Sequence, residues 1–261
     1  MSPASGLLSV DEARDAVLTV TAAVGTERIA AAASLGRITA DEVTALVSLP
    51  PWPNSAMDGY AIQAADTHAA QVDDPVELRV IGDVRAGVAS DVRVVPGSAV
   101  RIATGARLPE GADAVVPVEA TTPVDGAGMA GVRGRDAQGP LPTACLVHEV
   151  VQAGGSVRAS ASDLQAGAVL LQAGSGITAA AVTLIAGAGV EQLVVHRLPR
   201  IGVLATGDEV RAPGAPLGQA GIPDANGPGL RALVVAAGAD AIDLGIALTI
   251  WTTSSHAFGL V

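Results

Sequence analysis

Cysteine and aromatic residues are both scarce in this sequence of 261 residues: it has a single cysteine, and aromatic side chains make up 2% of it. One cysteine excludes an internal disulfide framework and a cysteine-rich metal site. Because so few aromatic rings are available, the hydrophobic cores must be built from small aliphatic side chains, which bury less area per residue. Cys145 lies in an apolar run and is expected to be a small buried residue.

Positive charge and long hydrophobic runs are lacking as well. The chain has 15 Lys and Arg against 26 Asp and Glu, a net charge of −11. This balance argues against a nucleic-acid or anionic-membrane partner, because no basic face could offset phosphate repulsion. No apolar stretch reaches the ~20 residues that span a bilayer, and the N-terminus lacks the basic segment and apolar core of a signal peptide. We therefore expect a cytoplasmic protein.

Small aliphatic residues, glycine and proline dominate what is present. Hydrophobic residues make up 49% of the chain, which also holds 31 glycines and 16 prolines, and its length suits one large domain or two to three small ones. Ser9 and Glu12 fit a capping box, which predicts a first helix. Thr39 and the acidic residues behind it predict a second helix over Thr39–Val47. Three prolines between positions 50 and 53 then force an extended segment.

Between Val76 and Val157 the pattern changes to short strands separated by turn residues. The predicted strands are Val76–Ile81, Ala99–Ile102 and Ala114–Val118. The segment from Val124 to Gly139 is rich in glycine and polar residues, which predicts the tip of a hairpin. This part of the chain is therefore predicted to be a small β domain.

The helical period returns over Ala179–Ala188, and an α/β pattern follows it. A buried strand is predicted from Arg200 to Thr206, a helix over Gly229–Ala237 and a second strand over Ala241–Ile246. Strand, helix, strand is the start of a parallel α/β sheet. Ligands of such sheets bind at the carboxyl ends of the strands, and Asp208 follows the first strand at such an end.

Three segments with distinctive motifs occur in the chain. Leu49–Ala61 contains Asn-Ser-Ala-Met-Asp-Gly-Tyr, Arg101–Val116 contains Arg-Ile-Ala-Thr-Gly-Ala, and Thr206–Glu209 is Thr-Gly-Asp-Glu, with Ile222–Gly227 after it. With these segments the chain resembles the molybdopterin molybdenumtransferase family, which includes the E domain of gephyrin. The resemblance is colinear from about Val10 to Ile246, and several blocks in one order make chance similarity very improbable.

A fourth and weaker match covers Arg158–Asp163, where Ala161 stands in place of the family's usual glycine. The resemblance implies a multi-domain α/β and β fold. Small helical and β N-terminal domains are followed by an incomplete parallel α/β sheet domain, of which only the first strand-helix-strand is expected. The implied domains are residues 1–57 with the N-terminal helices and proline-rich linker, 58–157 as an inserted β domain, 158–198 as a return to the N-terminal domain, and 199–261 as a partial molybdopterin-binding α/β domain.

The end of the chain departs from the family, so the sequence is expected to be C-terminally truncated. The family's Gly-Gly-x-Ser-x-Gly loop and C-terminal β domain are expected to be absent, and the tail is aberrant from about residue 248. A single-base deletion in codons for the family's Ala-Arg-Asp-Asp run yields Ala-Leu-Thr-Ile-Trp-Thr-Thr-Ser, the sequence from Ala247 to Ser254. A frameshift is therefore our hypothesis for this tail, and resequencing the locus would test it.

The resemblance implies an enzyme that converts adenylylated molybdopterin and molybdate into molybdenum cofactor, AMP and water, with Mg²⁺ or another divalent cation assisting. It also implies a homodimer. The alternative is a non-catalytic, truncated remnant that folds or binds substrate without turnover. A scaffolding role like that of gephyrin's E domain is a third alternative, although no motif of this chain suggests a groove for a partner peptide.

The site residues are carried over from the family onto the matching positions. Asp58, Asp208 and Glu209 are the catalytic candidates, and the last two are also the candidate metal ligands, because hard cations prefer carboxylate oxygens. The substrate-binding candidates are Ser55, Thr104, Asp163, Asp224 and Asn226.

All of these candidates except Ser55 also have a structural explanation. Thr104 before Gly105 fits an ordinary turn at the end of a strand. Asp58 before a glycine is common in turns, Asp163 could cap a turn or helix, and Asp208 and Glu209 could cap the following segment. For Asp224 and Asn226 the structural and functional explanations have equal weight. The histidines are scattered without the spacing of metal ligands.

Overall fold

The computed structural model describes residues 8–135 and 140–248, which form three α-helices, three short 3₁₀ helices and sixteen β-strands. The α-helices are α1 (Val10–Val20), α2 (Ala179–Gly187) and α3 (Asn226–Ala236). The 3₁₀ helices are Ala31–Ala33, Ala64–Thr67 and Val118–Ala120. The strands are β1 (Thr26–Ala30), β2 (Val43–Thr44), β3 (Asn54–Ser55), β4 (Gly59–Ile62), β5 (Val76–Val84), β6 (Ser98–Ile102), β7 (Ala114–Pro117), β8 (Thr121–Val124), β9 (Ala144–Val147), β10 (Val157–Arg158), β11 (Val169–Leu171), β12 (Gln192–His196), β13 (Arg200–Thr206), β14 (Val210–Arg211), β15 (Ile222–Pro223) and β16 (Asp240–Ala247).

The chain divides into two compact units. The β unit comprises Thr44–Leu170 and Gly187–Val190, and the α/β unit comprises Met1–Val43, Leu171–Ala186 and Glu191–Val261. The domain boundaries predicted after residues 57, 157 and 198 stay predictions.

A six-stranded sheet forms the centre of the β unit, in the order β7-β4-β6-β5-β9-β8. β5 and β6 are parallel, and the other neighbours are antiparallel. Every residue of β4 is buried, and its side chains alternate between two cores. Tyr60 and Ile62 belong to one apolar cluster, whereas Ala61 belongs to the other, as the two-residue period of a strand requires.

The strands predicted in this unit are confirmed at β5, β6 and β7, with ends that differ by one to three residues. The predicted hairpin is formed by β8 and β9, which pair antiparallel from Thr121 with Val147 to Val124 with Ala144. Four residues of its predicted tip, 136–139, lie outside the described residues. Cys145 is fully buried as predicted, and burial, aided by the charge of Glu77, raises the pKa of its thiol to about 12.

The helix predicted over Thr39–Val47 is wrong. The segment is extended and contains β2, and Thr39 forms a β-bridge with Val195. The hydroxyl of Thr39 is buried and donates to the carbonyl oxygen of Gln172 at 2.7 Å. Tertiary hydrogen bonds from a β-branched residue therefore override the weak helix-start pattern.

The first helix of the α/β unit is confirmed with its capping box. The hydroxyl of Ser9 accepts the Glu12 amide at 3.2 Å, and the Glu12 carboxylate accepts the Ser9 amide at 2.7 Å. β1, which lacks a clear sequence signal, pairs antiparallel with β12. The helix predicted at Ala179 is confirmed as α2. None of the helices in the described residues is long and apolar enough to cross a membrane.

The predicted strand-helix-strand is also confirmed, as β13, α3 and β16 with the two strands parallel. The expectation that β13 is buried is wrong, since Val203 is its only buried residue. Within the part of the chain that the structure describes, β13 pairs with β16 alone. The proposed frameshifted tail lies outside the described residues from position 249 onward.

Candidate functional site

The loop between β3 and β4 carries Asp58 and is ordered by Ser55. The buried hydroxyl of Ser55 donates to the carbonyl oxygen of Met57 at 2.6 Å and accepts the Met57 amide at 3.3 Å. The carbonyl oxygen of Ser55 accepts the Gly105 amide at 2.8 Å. The Ser55 hydroxyl thus shapes the loop that presents Asp58, and substrate binding by Ser55 stays a prediction.

The structure brings Asp58 and Thr104, candidates from two separate motifs, into direct contact. One carboxylate oxygen of Asp58, Oδ1, accepts the amide of Thr104 at 2.7 Å and its hydroxyl at 2.9 Å. These two hydrogen bonds, the backbone one foremost, lower the pKa of the Asp58 carboxyl below its ordinary value. The result is an exposed, ionised carboxylate with a defined direction.

A glycine follows each of the two residues in this contact, and the two positions favour glycine for different physical reasons. A Cβ atom at Gly59 would lie 2.1 Å from the carbonyl oxygen of Val116, on the neighbouring strand β7. Gly105 instead has a left-handed backbone with φ +78°, while nothing occupies the space beside it. The first glycine permits close strand pairing and the second permits a turn.

Asp163 lies in the segment that follows β10 and forms an ion pair with Arg158. The Arg158 hydrogen bond, and after it that of Ser162, lower the pKa of the Asp163 carboxyl. Ala161, the residue that replaces the family's glycine, has a left-handed backbone with φ +59°. The local backbone therefore keeps the conformation that a glycine would favour.

Asp208 and Glu209 follow β13 at its carboxyl end, as predicted, and both are exposed. Gly207 before them has φ +142°, and a Cβ atom there would lie 2.8 Å from Oε2 of Glu209. The carbonyl oxygen of Asp208 accepts a hydrogen bond from the Arg211 guanidinium at 2.6 Å. The turn thus leaves two neighbouring carboxylates at the strand end, which agrees with the position expected for ligands of parallel sheets.

Asp224 and Asn226 lie at the start of α3. Oδ1 of Asp224 accepts the amide of Gly227 at 2.9 Å, which satisfies one of the unpaired amides of the first helical turn. Asn226 is the first residue of α3 and is exposed. Asp224 therefore has a structural role at the start of α3, while substrate binding by either residue stays a prediction.

The candidate residues offer few ligands for a divalent cation. Among the described residues, no group of three or more His, Cys, Asp or Glu side chains is placed to hold a metal ion. Asp208 and Glu209 still supply two adjacent carboxylates. Mg²⁺ commonly keeps several waters and is bound through one or two carboxylates and substrate phosphates. The Asp208–Glu209 pair therefore fits this kind of Mg²⁺ site better than one in which protein side chains supply every ligand.

Two polar residues near Asp58 were not singled out from the sequence. Asn54 is buried, and its Oδ1 atom has no hydrogen-bond partner in the part of the chain that the structure describes. Arg158 pairs with Asn54 across the β3–β10 ladder and holds Asp163. Both residues lie inside the quoted motifs, which was the signal that the sequence offered for them.

The candidate residues are divided between the two units. The β unit holds Ser55, Asp58, Thr104 and Asp163, and the α/β unit holds Asp208, Glu209, Asp224 and Asn226.

Comparison with known proteins agrees with the motif analysis. Residues 8–189 match the family described as MoeA N-terminal region (domain I and II). The chain is similar to a molybdopterin biosynthesis moeA protein from Pyrococcus horikosii, with 28% identity, a TM-score of 0.76 and coverage of 93% of this chain. A second structure, of the moeA protein from Pyrococcus horikoshii OT3, has 27% identity, a TM-score of 0.74 and coverage of 88%.

The chain spans 58% and 56% of the lengths of those two proteins. The matched family region contains the Asp58 loop, the Thr104 turn and the Arg158–Asp163 segment. Because this match extends over more than half of the sequence, the chain belongs to the MoeA N-terminal region family.

Proposed function

We propose that this chain acts in molybdenum cofactor biosynthesis, as a molybdopterin molybdenumtransferase that inserts molybdenum into adenylylated molybdopterin. The substrates are adenylylated molybdopterin and molybdate, and the products are molybdenum cofactor, AMP and water. Support comes from the family match and from two similar structures of molybdopterin biosynthesis proteins.

The observation that carries the proposal is the geometry of Asp58. Thr104 occupies Oδ1 with two hydrogen bonds, and Oδ2 forms no hydrogen bond within the described residues. The second oxygen therefore faces solvent as a fixed, ionised acceptor. Such an acceptor can orient a donor group of the substrate, or the water that takes part in hydrolysis of the adenylate, without paying for reorganisation during the reaction.

Asp208 and Glu209 are the residues that we propose to hold Mg²⁺. When bound, the cation would neutralise charge on the phosphoanhydride of the adenylate. The two carboxylates would orient it from the end of β13, at the place where parallel sheets bind ligands. Ser55 and Thr104 would keep Asp58 in position, and Asp163, Asp224 and Asn226 would contact the substrate.

A homodimer and a cytoplasmic location are further parts of the proposal. Sedimentation velocity of the full chain tests the dimer, with a mass of twice 25.6 kDa as the expected result. The non-catalytic remnant is the competing function, and it differs from the enzyme by a single readout, the release of AMP.

The test is an insertion assay with the full chain, adenylylated molybdopterin, molybdate and Mg²⁺. We expect AMP release together with formation of cofactor that reconstitutes a molybdenum-free apoenzyme. Asp58→Asn should lower the rate on the order of 100-fold, while the matched control Asp73→Asn, an exposed carboxylate in another loop of the β unit, should leave it unchanged. Substrate binding without AMP release would select the remnant, and a folded chain that shows neither would contradict the enzyme.

A further inference from the structure

The side-chain amide of Asn226, which precedes Gly227, is chemically vulnerable. The chain has two asparagines, and Asn226 is the one that precedes a glycine. Glycine lacks a Cβ, so its backbone nitrogen can approach the preceding side chain without steric hindrance. Asn226 is also exposed, so burial cannot keep water away from it.

The reaction of such an amide is deamidation. The backbone nitrogen of Gly227 attacks the side-chain carbonyl carbon of Asn226, so that a carbon–nitrogen bond forms and a succinimide ring closes. The bond from that carbon to the side-chain nitrogen breaks, and the nitrogen leaves as ammonia with the proton that Gly227 gives up. Water then adds to either ring carbonyl, and the product is aspartate or isoaspartate.

The structure places an obstacle at the attacking atom. The amide of Gly227 donates its proton to Oδ1 of Asp224 at 2.9 Å. A hydrogen-bonded amide must first release this acceptor before it can attack. A neighbouring carboxylate also disfavours loss of the amide proton, because like charges would then be adjacent. In addition, Asn226 is the first residue of α3, whose helical backbone must open before the ring can close.

The same carboxylate explains why glycine follows the asparagine. A Cβ atom at position 227 would lie 2.3 Å from Oδ2 of Asp224. A larger residue at this position would push the Asp224 carboxylate aside. Gly227 therefore permits the close contact with Asp224 and at the same time makes Asn226 vulnerable.

From these contacts we infer that Asp224 protects Asn226 from deamidation in the folded chain. The protection is local, since it depends on one hydrogen bond and the first turn of one helix. If Asn226 contacts the anionic substrate, as the proposed function has it, deamidation would add a negative charge there and weaken binding. That consequence rests on the proposed function, whereas the protection itself does not.

The experiment incubates the full chain in mildly alkaline buffer and follows Asn226 by peptide mapping with mass spectrometry. The chain unfolded in urea supplies the unprotected rate. We expect folded wild type to deamidate at least about tenfold more slowly than the unfolded chain, and Asp224→Ala to lose about tenfold of this protection, the factor that one hydrogen bond to a charged group represents. Asp224→Asn, which keeps an acceptor oxygen without the charge, should be intermediate.

The matched control is Asp240→Ala, which removes an exposed carboxylate elsewhere in the α/β unit and should leave the rate at Asn226 unchanged. Circular dichroism checks that each variant is folded, and Asp224→Asn serves as the test if Asp224→Ala does not fold. Equal rates in folded wild type and in the unfolded chain would overturn the inference. So would equal rates in the folded wild type and the folded Asp224 variants. Neither result depends on whether the chain releases AMP.

Discussion

Asp58 shows how a neighbouring residue sets both the direction and the charge of an exposed carboxylate. Thr104 donates its amide and its hydroxyl to the same oxygen, Oδ1, and the other oxygen forms no hydrogen bond among the described residues. Because both donors stabilise the charged form, the pKa of Asp58 is lowered. A carboxyl group with a lowered pKa suits hydrogen-bond acceptance and electrostatic orientation more than proton donation at neutral pH.

Thr104→Val should therefore raise the pKa of Asp58 towards its ordinary value of 3.8, while the retained backbone hydrogen bond keeps it below that value. Thr104→Ser keeps the hydroxyl and should match wild type. The carboxyl carbon resonance of Asp58, followed by NMR during a pH titration, measures this. An unchanged pKa in Thr104→Val would show that the hydroxyl does not act on the carboxylate.

The same shift predicts a pH dependence of stability. The folded pKa lies below the unfolded one, so the contribution of Asp58 is fully present above 3.8 and is lost as the pH falls through the lowered folded value. The difference in unfolding free energy between wild type and Thr104→Val should accordingly shrink below pH 3.8. Urea unfolding at a series of pH values measures it.

Ala161 is a second residue whose local conformation yields a prediction. Its φ of +59° costs an alanine about 1–2 kcal/mol relative to glycine. Replacement by glycine removes this strain, but part of the gain in stability is lost because glycine has more freedom in the unfolded chain. Ala161→Gly should raise the unfolding free energy by about 0.5–1 kcal/mol. Ala159→Gly, a position outside the left-handed region, is the control and should not stabilise the protein.

At the scale of elements, the packing of β4 against β7 depends on the residue after Asp58. A methyl group at Gly59 would collide with the backbone of β7, and the two strands cannot both stay in place. Gly59→Ala should lower the unfolding free energy by about 3 kcal/mol or more. Gly105→Ala meets no atom and should cost only the left-handed strain of about 1–2 kcal/mol.

Urea unfolding of the two glycine variants compares these costs directly. Equal losses would mean that β4 and β7 can shift to admit a methyl group. The comparison also separates the fold from the site, since both glycines are next to residues of the Asp58–Thr104 contact. A site effect alone would lower activity without changing the unfolding free energy.

At the scale of the whole molecule, the two units differ in how much of their sheets is buried. All four residues of β4 are buried, whereas β16 has no buried residue and β13 has one. Since local opening is easiest where few apolar contacts are lost, the amides of β13 and β16 should exchange with deuterium faster than those of β4, β6 and β7. Equal protection in hydrogen exchange would contradict this expectation.

The net charge of −11 is also a property of the whole molecule with a consequence for function. A long-range field from this chain repels anions, yet the proposed substrates are anionic. Binding would have to depend on local donors and on a cation between the carboxylates and the phosphates. Arg158 illustrates the difficulty, because its guanidinium is already engaged by Asp163.

Much of the fold follows from local sequence patterns. The Ser9–Glu12 capping box defines the start of α1, alternating aliphatic residues define β5 to β7, and the order of strand, helix and strand defines β13 to β16. Each of these signals is read within a few residues, because the periods of strands and helices and the chemistry of caps are local properties. The motifs likewise identified Asp58 and Thr104 as candidates, although 46 positions separate them.

The contacts among these residues were decided by tertiary structure. Thr39 lies in an extended segment because Gln172 and Val195 are beside it, and no local pattern reveals partners more than 130 positions away. For the same reason, the sequence does not reveal that Thr104 donates two hydrogen bonds to Asp58. Residue types and their local order determined the elements and the candidate groups, and long-range packing decided which group each side chain contacts.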